Sequence, residues 1–268
     1  MDPAPRATGV LHDVLTDGSA TGMMPSYGPA HVAALIVIAV GGVCAVVLGR
    51  RMRGSEREPA VRAAAGWTLL VITLAWLGWG LVPQNFDLDE SLPLHFSDAL
   101  RVITALALIR RAPWAIVISC FWGLTLNLQS IITPQLVYQG YPLLEYLMYW
   151  GLHGIVLLAP LYLVVGLGDR PTWYGYAVAL AATFGWAAIA MTGNALTGAN
   201  YGYLNREPAG TSILDLLGGW PWYLLWEAVL VTTVWAGMTR VLRRPASGPS
   251  RRPLIRGFRE DPGARDPG

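Results

Sequence analysis

The chain contains no lysine, so all nineteen of its basic side chains are arginine. We read that uniformity as the coding bias of a GC-rich genome, not as selection for guanidinium chemistry. Charge of either sign is scarce: 13% of residues are charged, where a soluble domain carries about 25%. Hydrophobic residues make up 54% and the mean hydropathy is +0.43, which excludes an ordinary soluble domain and points to a membrane protein. The formal charge of +2 gives no reason to expect a nucleic-acid partner. Cysteine is nearly absent: Cys44 and Cys120 both fall within apolar runs, where neither a disulfide framework nor a zinc cluster of usual spacing can be built. Both are expected to be buried small hydrophobes. The first thirty residues lack the charged stretch and small-residue cleavage site of a signal peptide. No repeat, low-complexity block or second domain is visible.

What the chain has instead is apolar length. Seven runs, at approximately 31–49, 63–82, 94–110, 113–133, 146–166, 173–195 and 221–241, each come near the roughly 20 residues that cross about 30 Å of hydrocarbon. The expected fold is all-α: a polytopic membrane protein built as a bundle of seven transmembrane helices spanning 31–242. Residues 1–30 read as a tail outside the membrane, and 243–268, rich in Pro, Gly and Arg, as a disordered basic tail in the cytoplasm. Basic residues of short loops stay cytoplasmic. Arg50, Arg51, Arg53, Arg57 and Arg62 lie between the first and second spans, Arg110 and Arg111 between the third and fourth, and Arg170 between the fifth and sixth. The C-terminal stretch from Arg240 adds more, whereas only Arg6 and Arg206 fall on the other side. The N-terminus is expected outside and the C-terminus inside.

That orientation sets the depth of the polar residues inside the spans. With a rise of about 1.5 Å per residue, His95 lies at the outer rim of the third span, Ser97 and Asp98 just below it, and Arg101 roughly 10 Å in. Asn127, Gln129 and Ser130 fall in the outer third of the fourth span. Glu145 sits at the mouth of the fifth and His153 about 12 Å down. Thr192 and Asn194 end the sixth span outside, and Trp220, Trp222, Tyr223 and Glu227 open the seventh. Five helices thus place polar residues at one level, while their cytoplasmic halves are almost wholly apolar. Ionisable groups in a bilayer are costly unless paired or hydrated, and they face a bundle interior or a water-filled cavity. One polar cavity open to the outside accounts for all of them.

Each residue also has a plainer reading. Asp98 and Arg101 form a natural ion pair that would serve equally as a helix clamp. The two histidines would serve as interhelical hydrogen-bonding groups, Glu145 and Glu227 as rim residues in contact with water, and Trp220 to Tyr223 as an interfacial aromatic belt. The loop acids Asp87, Asp89 and Glu90 read as solvated. The sixth connection carries Ser212 to Asp215, an S-x-x-D helix start, bracketed by Pro208, Gly210, Gly218 and Gly219, and suits a short mobile cap over the cavity.

The motifs LPLHFSDAL, FWGLTLNLQSIITP, EYLMYWGLHGIVLLAPLYL, NYGYL, REPAG and DLLGGWPWYLLWE, taken in that order, resemble the YwaF-like family of bacterial integral membrane proteins from the second span through the seventh. That family is distantly similar to a eukaryotic transmembrane acyltransferase that moves polyunsaturated acyl chains onto ether lysophospholipids. In that relative a cysteine precedes the histidine equivalent to His95, where this chain has Leu94, so a thioester route through that position is closed. Bacterial relatives often carry Cys where this chain has Ser97, so the resemblance leaves a hydroxyl nucleophile open at that position. His153, in GLHG, matches a second histidine of the eukaryotic relative.

Two functional classes stay open. The first is a lipid acyltransferase or hydrolase with membrane lipids as partners, in which an acyl chain enters laterally. His95 or His153 would be general base, Asp98 would orient the imidazole, and Asn127, Gln129 or Arg101 would stabilise the oxyanion. Asn194, Tyr223 and Glu227 would complete the substrate-binding wall. Ser97 is two residues from His95 on one helix and does not face it, which favours direct attack by a substrate hydroxyl. The second class is a binding or transport protein for a small polar solute or lipid, with Asp98, His153 and Glu227 binding it or carrying protons. The inverted repeats and broken helices common in transporters are not visible. No cofactor is called for, and no metal spacing joins His95, Asp98, His153 and Glu227. The expected location is the cell inner (plasma) membrane, multi-pass, and no feature of the sequence sets an oligomeric state.

Overall fold

The computed structural model describes residue 15, residues 22–207 and residues 216–242. Much of the expected N-terminal tail, the Ser212 to Asp215 helix start and the tail from 243 to 268 lie outside the described residues. Within them the chain forms seven helices: α1 (Pro29–Met52), α2 (Glu58–Gly80), α3 (Phe96–Arg110), α4 (Pro113–Ile132), α5 (Pro142–Leu167), α6 (Trp173–Thr197) and α7 (Trp222–Leu242). A short 3-10 turn, Tyr201–Tyr203, comes after α6. No strand occurs among the described residues, where extended pairing is limited to the isolated bridge between Met23 and Val137.

The helix ends obey local chemistry. Helices α1, α4 and α5 open on a proline and α2 carries one, Pro59, at its second position; proline lacks the N–H that a first turn cannot use. The Thr172 hydroxyl caps α6 by accepting from the Gly175 N–H at 3.0 Å, and Gly198, at φ +79°, stops it. Five helices, α1, α2, α4, α5 and α6, are long and apolar enough to cross a bilayer. Helix α3 has 15 residues, about 22 Å, and is shorter than the expected span.

Two π-helical stretches interrupt the long helices, Trp122–Leu126 in α4 and Leu161–Leu167 in α5. The second comes directly after Pro160, whose ring and missing N–H break the regular ladder. Close packing accompanies both. A Cβ on Gly123 would overlap the Val156 carbonyl of α5, and one on Gly49 would stand 2.7 Å from the Gly166 Cα, where α1 crosses α5. The core runs through the middle of the bundle, around Leu100, Phe121, Trp122, Leu163 and Trp235. Cys120 is buried as expected, but Cys44 is exposed on α1, so the expectation of burial fails there: a helix at the edge of the bundle buries only the face packed on its neighbour.

The arginines gather at one end and grip helix termini. Arg53 donates to the Gly166 carbonyl. Arg62 pairs with Glu58 at 2.7 Å and donates to the carbonyls of Leu108 and Ile109, the last turn of α3. Arg111 makes a two-pronged bond to Asp169 at 2.8 and 3.0 Å, and Arg170 donates to the Leu242 carbonyl at 3.1 Å. Those made to the carbonyls satisfy groups that a helix C-terminus leaves without partners. The opposite end holds the cavity.

Candidate functional site

A cavity of about 570 Å³ opens at the end away from the arginine bonds, walled by residues of α2 through α7. The structure brings His95, Ser97, Asp98, Arg101, Asn127, Gln129, His153 and Glu227 onto this one wall, with Ser130 and Glu145.

His95 is the N-cap of α3, and that position decides what Asp98 does. Three residues on, the Asp98 carboxylate accepts from the His95 backbone N–H at 3.2 Å, covering a donor that a helix start leaves open. Asp98 therefore does not orient the His95 imidazole, as the sequence had led us to expect. The ring is held instead by its Nε2, 2.8 Å from the Asp89 carbonyl, with the Glu90 carboxylate at 3.5 Å and the Tyr201 ring edge-on at 5.1 Å. A carbonyl only accepts, so Nε2 carries the proton and Nδ1 is the basic nitrogen of a neutral His95.

One turn below, Arg101 donates to the Ser97 hydroxyl at 2.8 Å and pairs with Asp98 at 3.3 Å. Its other terminal nitrogen, Nη1, is buried without a hydrogen-bond partner among the described residues. The Ser97 oxygen thus receives a proton donor from Arg101, and no hydrogen bond joins it to either histidine.

His153 is set by Asn127. The amide nitrogen of Asn127 donates to the His153 backbone carbonyl at 3.0 Å, which leaves its amide oxygen facing His153 Nδ1 at 2.7 Å. An amide oxygen only accepts, so Nδ1 carries the proton and Nε2 keeps its lone pair. Both residues are buried, at 2% and 8% exposure, and the Tyr149 ring lies 4.5 Å from the imidazole. Asn127 begins the helical stretch just past the π turn. A π turn shifts the register of the helix beyond it and recurs at functional sites; here Asn127 faces α5. Asn127 is thus a partner of the histidine, not the free oxyanion donor expected.

Residues 26–239 match the pattern of one family of transmembrane proteins along the whole stretch that forms the helices and the cavity. The chain belongs to the TMEM164 family. No curated protein and no solved structure matches it. As a TMEM164-family chain with several long apolar helices it is a multi-pass membrane protein.

Two expected wall residues of this TMEM164-family chain stand off the cavity and hold its mouth together. Asn194 exchanges hydrogen bonds with the Tyr201 backbone, at 3.1 and 2.7 Å. Tyr223 is fully buried and donates to the Tyr203 carbonyl. The loop acids are not simply solvated: the Asp89 carboxylate accepts from the Asn200 N–H at 3.1 Å and lies 3.7 Å from Arg206, while Glu90 joins the wall. Glu227 lines the cavity with no hydrogen bond or ion pair to a described residue. Wall residues that the sequence reading passed over include Tyr149, Trp186 and Tyr203. Tyr149 precedes His153 by four residues, a spacing that puts both on one helix face and was a usable signal. Gly202, at φ +66°, leaves room for the Trp186 ring, which a Cβ there would overlap. Burial pushes the Tyr203 hydroxyl up to about 12.

Proposed function

We propose that the cavity receives a membrane lipid and that His153 acts there as general base in acyl transfer or hydrolysis. The observation that carries this reading is the Asn127 and His153 pair: a buried imidazole, its tautomer fixed from behind, with Nε2 left as the basic nitrogen of a cavity-lining side chain. In the reaction, Nε2 takes the proton of a substrate hydroxyl or a water. That oxygen bonds to the acyl carbon as the bond to the leaving group breaks, and the imidazolium returns its proton to the leaving group. Arg101, whose Nη1 lacks a partner, supplies positive charge for the developing oxyanion or a lipid phosphate. Ser97 accepts from Arg101, which suits direct transfer over a seryl intermediate. His95, at the rim with Nδ1 as its basic nitrogen, assists at the mouth.

The same proposal includes all seven helices as membrane spans, the N-terminus and cavity outside, the arginine end in the cytoplasm and the plasma membrane as location. The arginine asymmetry between alternate loops supports it, as does the resemblance to YwaF-like bacterial proteins. The alternative, transport or binding of a small polar solute, is favoured by Glu227, a carboxyl on the cavity wall with no described partner; it predicts solute uptake into vesicles driven by a pH gradient and lost in Glu227→Gln.

The test is phospholipid turnover measured beside a melting curve for His95→Gln, His153→Gln and Arg101→Leu. Glutamine keeps a neutral hydrogen-bonding side chain, so folded yield holds while turnover falls by about 10² to 10⁴ in His153→Gln, the usual weight of general acid-base catalysis. Full turnover in His153→Gln removes the catalytic reading with His153 as base, and full turnover in both histidine variants removes any histidine base. Untargeted lipidomics of cells lacking and overproducing the protein identifies the substrate.

A further inference from the structure

The cavity does not end at the histidines. It continues between α6 and α7, where Leu180, Phe184, Ala187 and Met191 of one helix face Leu224, Ala228 and Val231 of the other. The spacings of three and four residues put each set on a single helix face. Two threonines share this stretch, but both hydroxyls are turned back onto their own helices: Thr183 donates to the Ala179 carbonyl at 2.8 Å and Thr232 to the Ala228 carbonyl at 2.9 Å. The lining is therefore apolar below Glu227.

The stretch has a floor and an open side. One turn below Leu180, the Tyr176 hydroxyl reaches across to the Thr232 carbonyl at 3.2 Å. Trp235, fully buried, donates to the Thr125 hydroxyl at 2.9 Å and stacks on Phe121 at 5.1 Å, closing the end. The open side is marked by Phe184 and Met191, which line the cavity yet are 57% and 46% exposed, at the outer edge of that face. Across the molecule, the gap between α2 and α5 is spanned by the edge contact of Trp79 with Tyr141 at 5.4 Å. From Met191 down to Leu180 the slot runs roughly 16 Å at 1.5 Å per residue, about half of a 30 Å hydrocarbon core and so about the depth of one leaflet.

We propose that the α6 and α7 stretch is a slot for a single lipid acyl chain, entered sideways from the bilayer past Phe184 and Met191 and limited in depth by the Tyr176 and Thr232 floor. The slot rests on the reading that a membrane lipid occupies the cavity, and it adds where the chain lies and what limits its length. The head of the slot meets the part of the wall that carries Glu227, so a seated chain leaves its polar end at the level of the ionisable residues.

The test uses the full chain in phosphatidylcholine vesicles doped with a phosphatidylcholine that carries a diazirine at the end of one acyl chain. After irradiation, adducts are mapped by mass spectrometry. The expected adducts fall on the lower slot, at Leu180 and Val231. They disappear in Ala228→Trp, which fills the slot, and persist in Leu225→Trp, a change on the lipid-facing side of the same helix. Should Ala228→Trp fail to fold, Ala187→Trp fills the slot from the other wall. Adducts confined to outward residues such as Leu225 and Leu230 overturn the slot, as do undiminished slot adducts in the filled variants. The two claims fail separately. Slot adducts with full turnover in His153→Gln leave the slot standing and remove the catalytic reading; turnover that depends on His153 without slot adducts does the reverse.

Discussion

Replacing Asn127 with alanine removes two hydrogen bonds at once, the acceptor of His153 Nδ1–H and a donor to the His153 carbonyl. Each is worth roughly 1 kcal/mol net, and the abandoned Nδ1–H is a buried donor whose desolvation costs about 1–3 kcal/mol. Because the helix ladder still serves the carbonyl, the total is about 2–4 kcal/mol, a clear drop in melting temperature that a bundle of this size survives. The chemical effect is larger than the structural one. Without Asn127 nothing described holds the proton on Nδ1, so the tautomer with a protonated Nε2 and a rotated ring become populated. Turnover per folded molecule falls by about 10² or more. Since the pair acts as one unit, the double variant Asn127→Ala with His153→Gln is no slower than His153→Gln alone. The assay is phospholipid turnover in vesicles, normalised to folded protein by a melting curve on the same preparation. Wild-type turnover in Asn127→Ala, or losses that multiply in the double variant, refutes the argument that Asn127 works through His153.

Other outcomes rest on single contacts. Arg101→Leu leaves the Asp98 carboxylate buried without its cation and lowers stability by about 3–5 kcal/mol; adding Asp98→Leu recovers most of that loss in a detergent melt. Gly49→Ala forces a Cβ against the Gly166 backbone and costs about 1–3 kcal/mol as overpacking, whereas Gly78→Ala, where nothing lies within 4 Å, does not lower the melting temperature. In a background with Cys44 and Cys120 replaced, a cysteine at Asp89 is labelled by an impermeant thiol reagent in intact cells and one at Ser55 is not; labelling at Ser55 overturns the proposed orientation.

The helices were legible because a span must hide its backbone from hydrocarbon, and apolar runs of that length leave few alternatives. The runs even ended within a few residues of the helices. The third run begins at Leu94, two residues before the helix, which starts at Phe96 because His95 serves as cap and Asp98 takes its N–H. The gathering of His95, Arg101, Asn127, His153 and Glu227 was legible too, since alternating helices of known length fix which residues share a level. What the sequence could not show was orientation around each helix. The π turn at Trp122–Leu126 breaks the 3.6-residue count used to assign faces, so the turning of Asn127 toward His153 was hidden. Asn194 and Tyr223 sat at the right level, but their bonds to the Tyr201 and Tyr203 backbone depend on how the chain folds back after Gly198. The loop acids looked solvated because nothing local announces that Asn200, over a hundred residues away, will meet Asp89.

The arginine bonds make the molecule mechanically lopsided. At one end guanidinium groups tie α1 to α5, α2 to α3 and the chain before α6 to α7, each through backbone carbonyls that are fixed to the helix axes. At the other end His31 and Tyr146 tie α1 to α4 and α5, and Tyr149 ties α5 to α4, again through helix carbonyls, whereas among the described residues no side-chain hydrogen bond joins α6 to α7 above the one from Tyr176 to Thr232. A widening that admits a bulky guest is therefore least opposed between α6 and α7, above the Tyr176 bond to Thr232. The freest part of that gap lies at the tips of α6 and α7, beside Met191 and Leu224, at the end opposite the Arg170 bond to the Leu242 carbonyl.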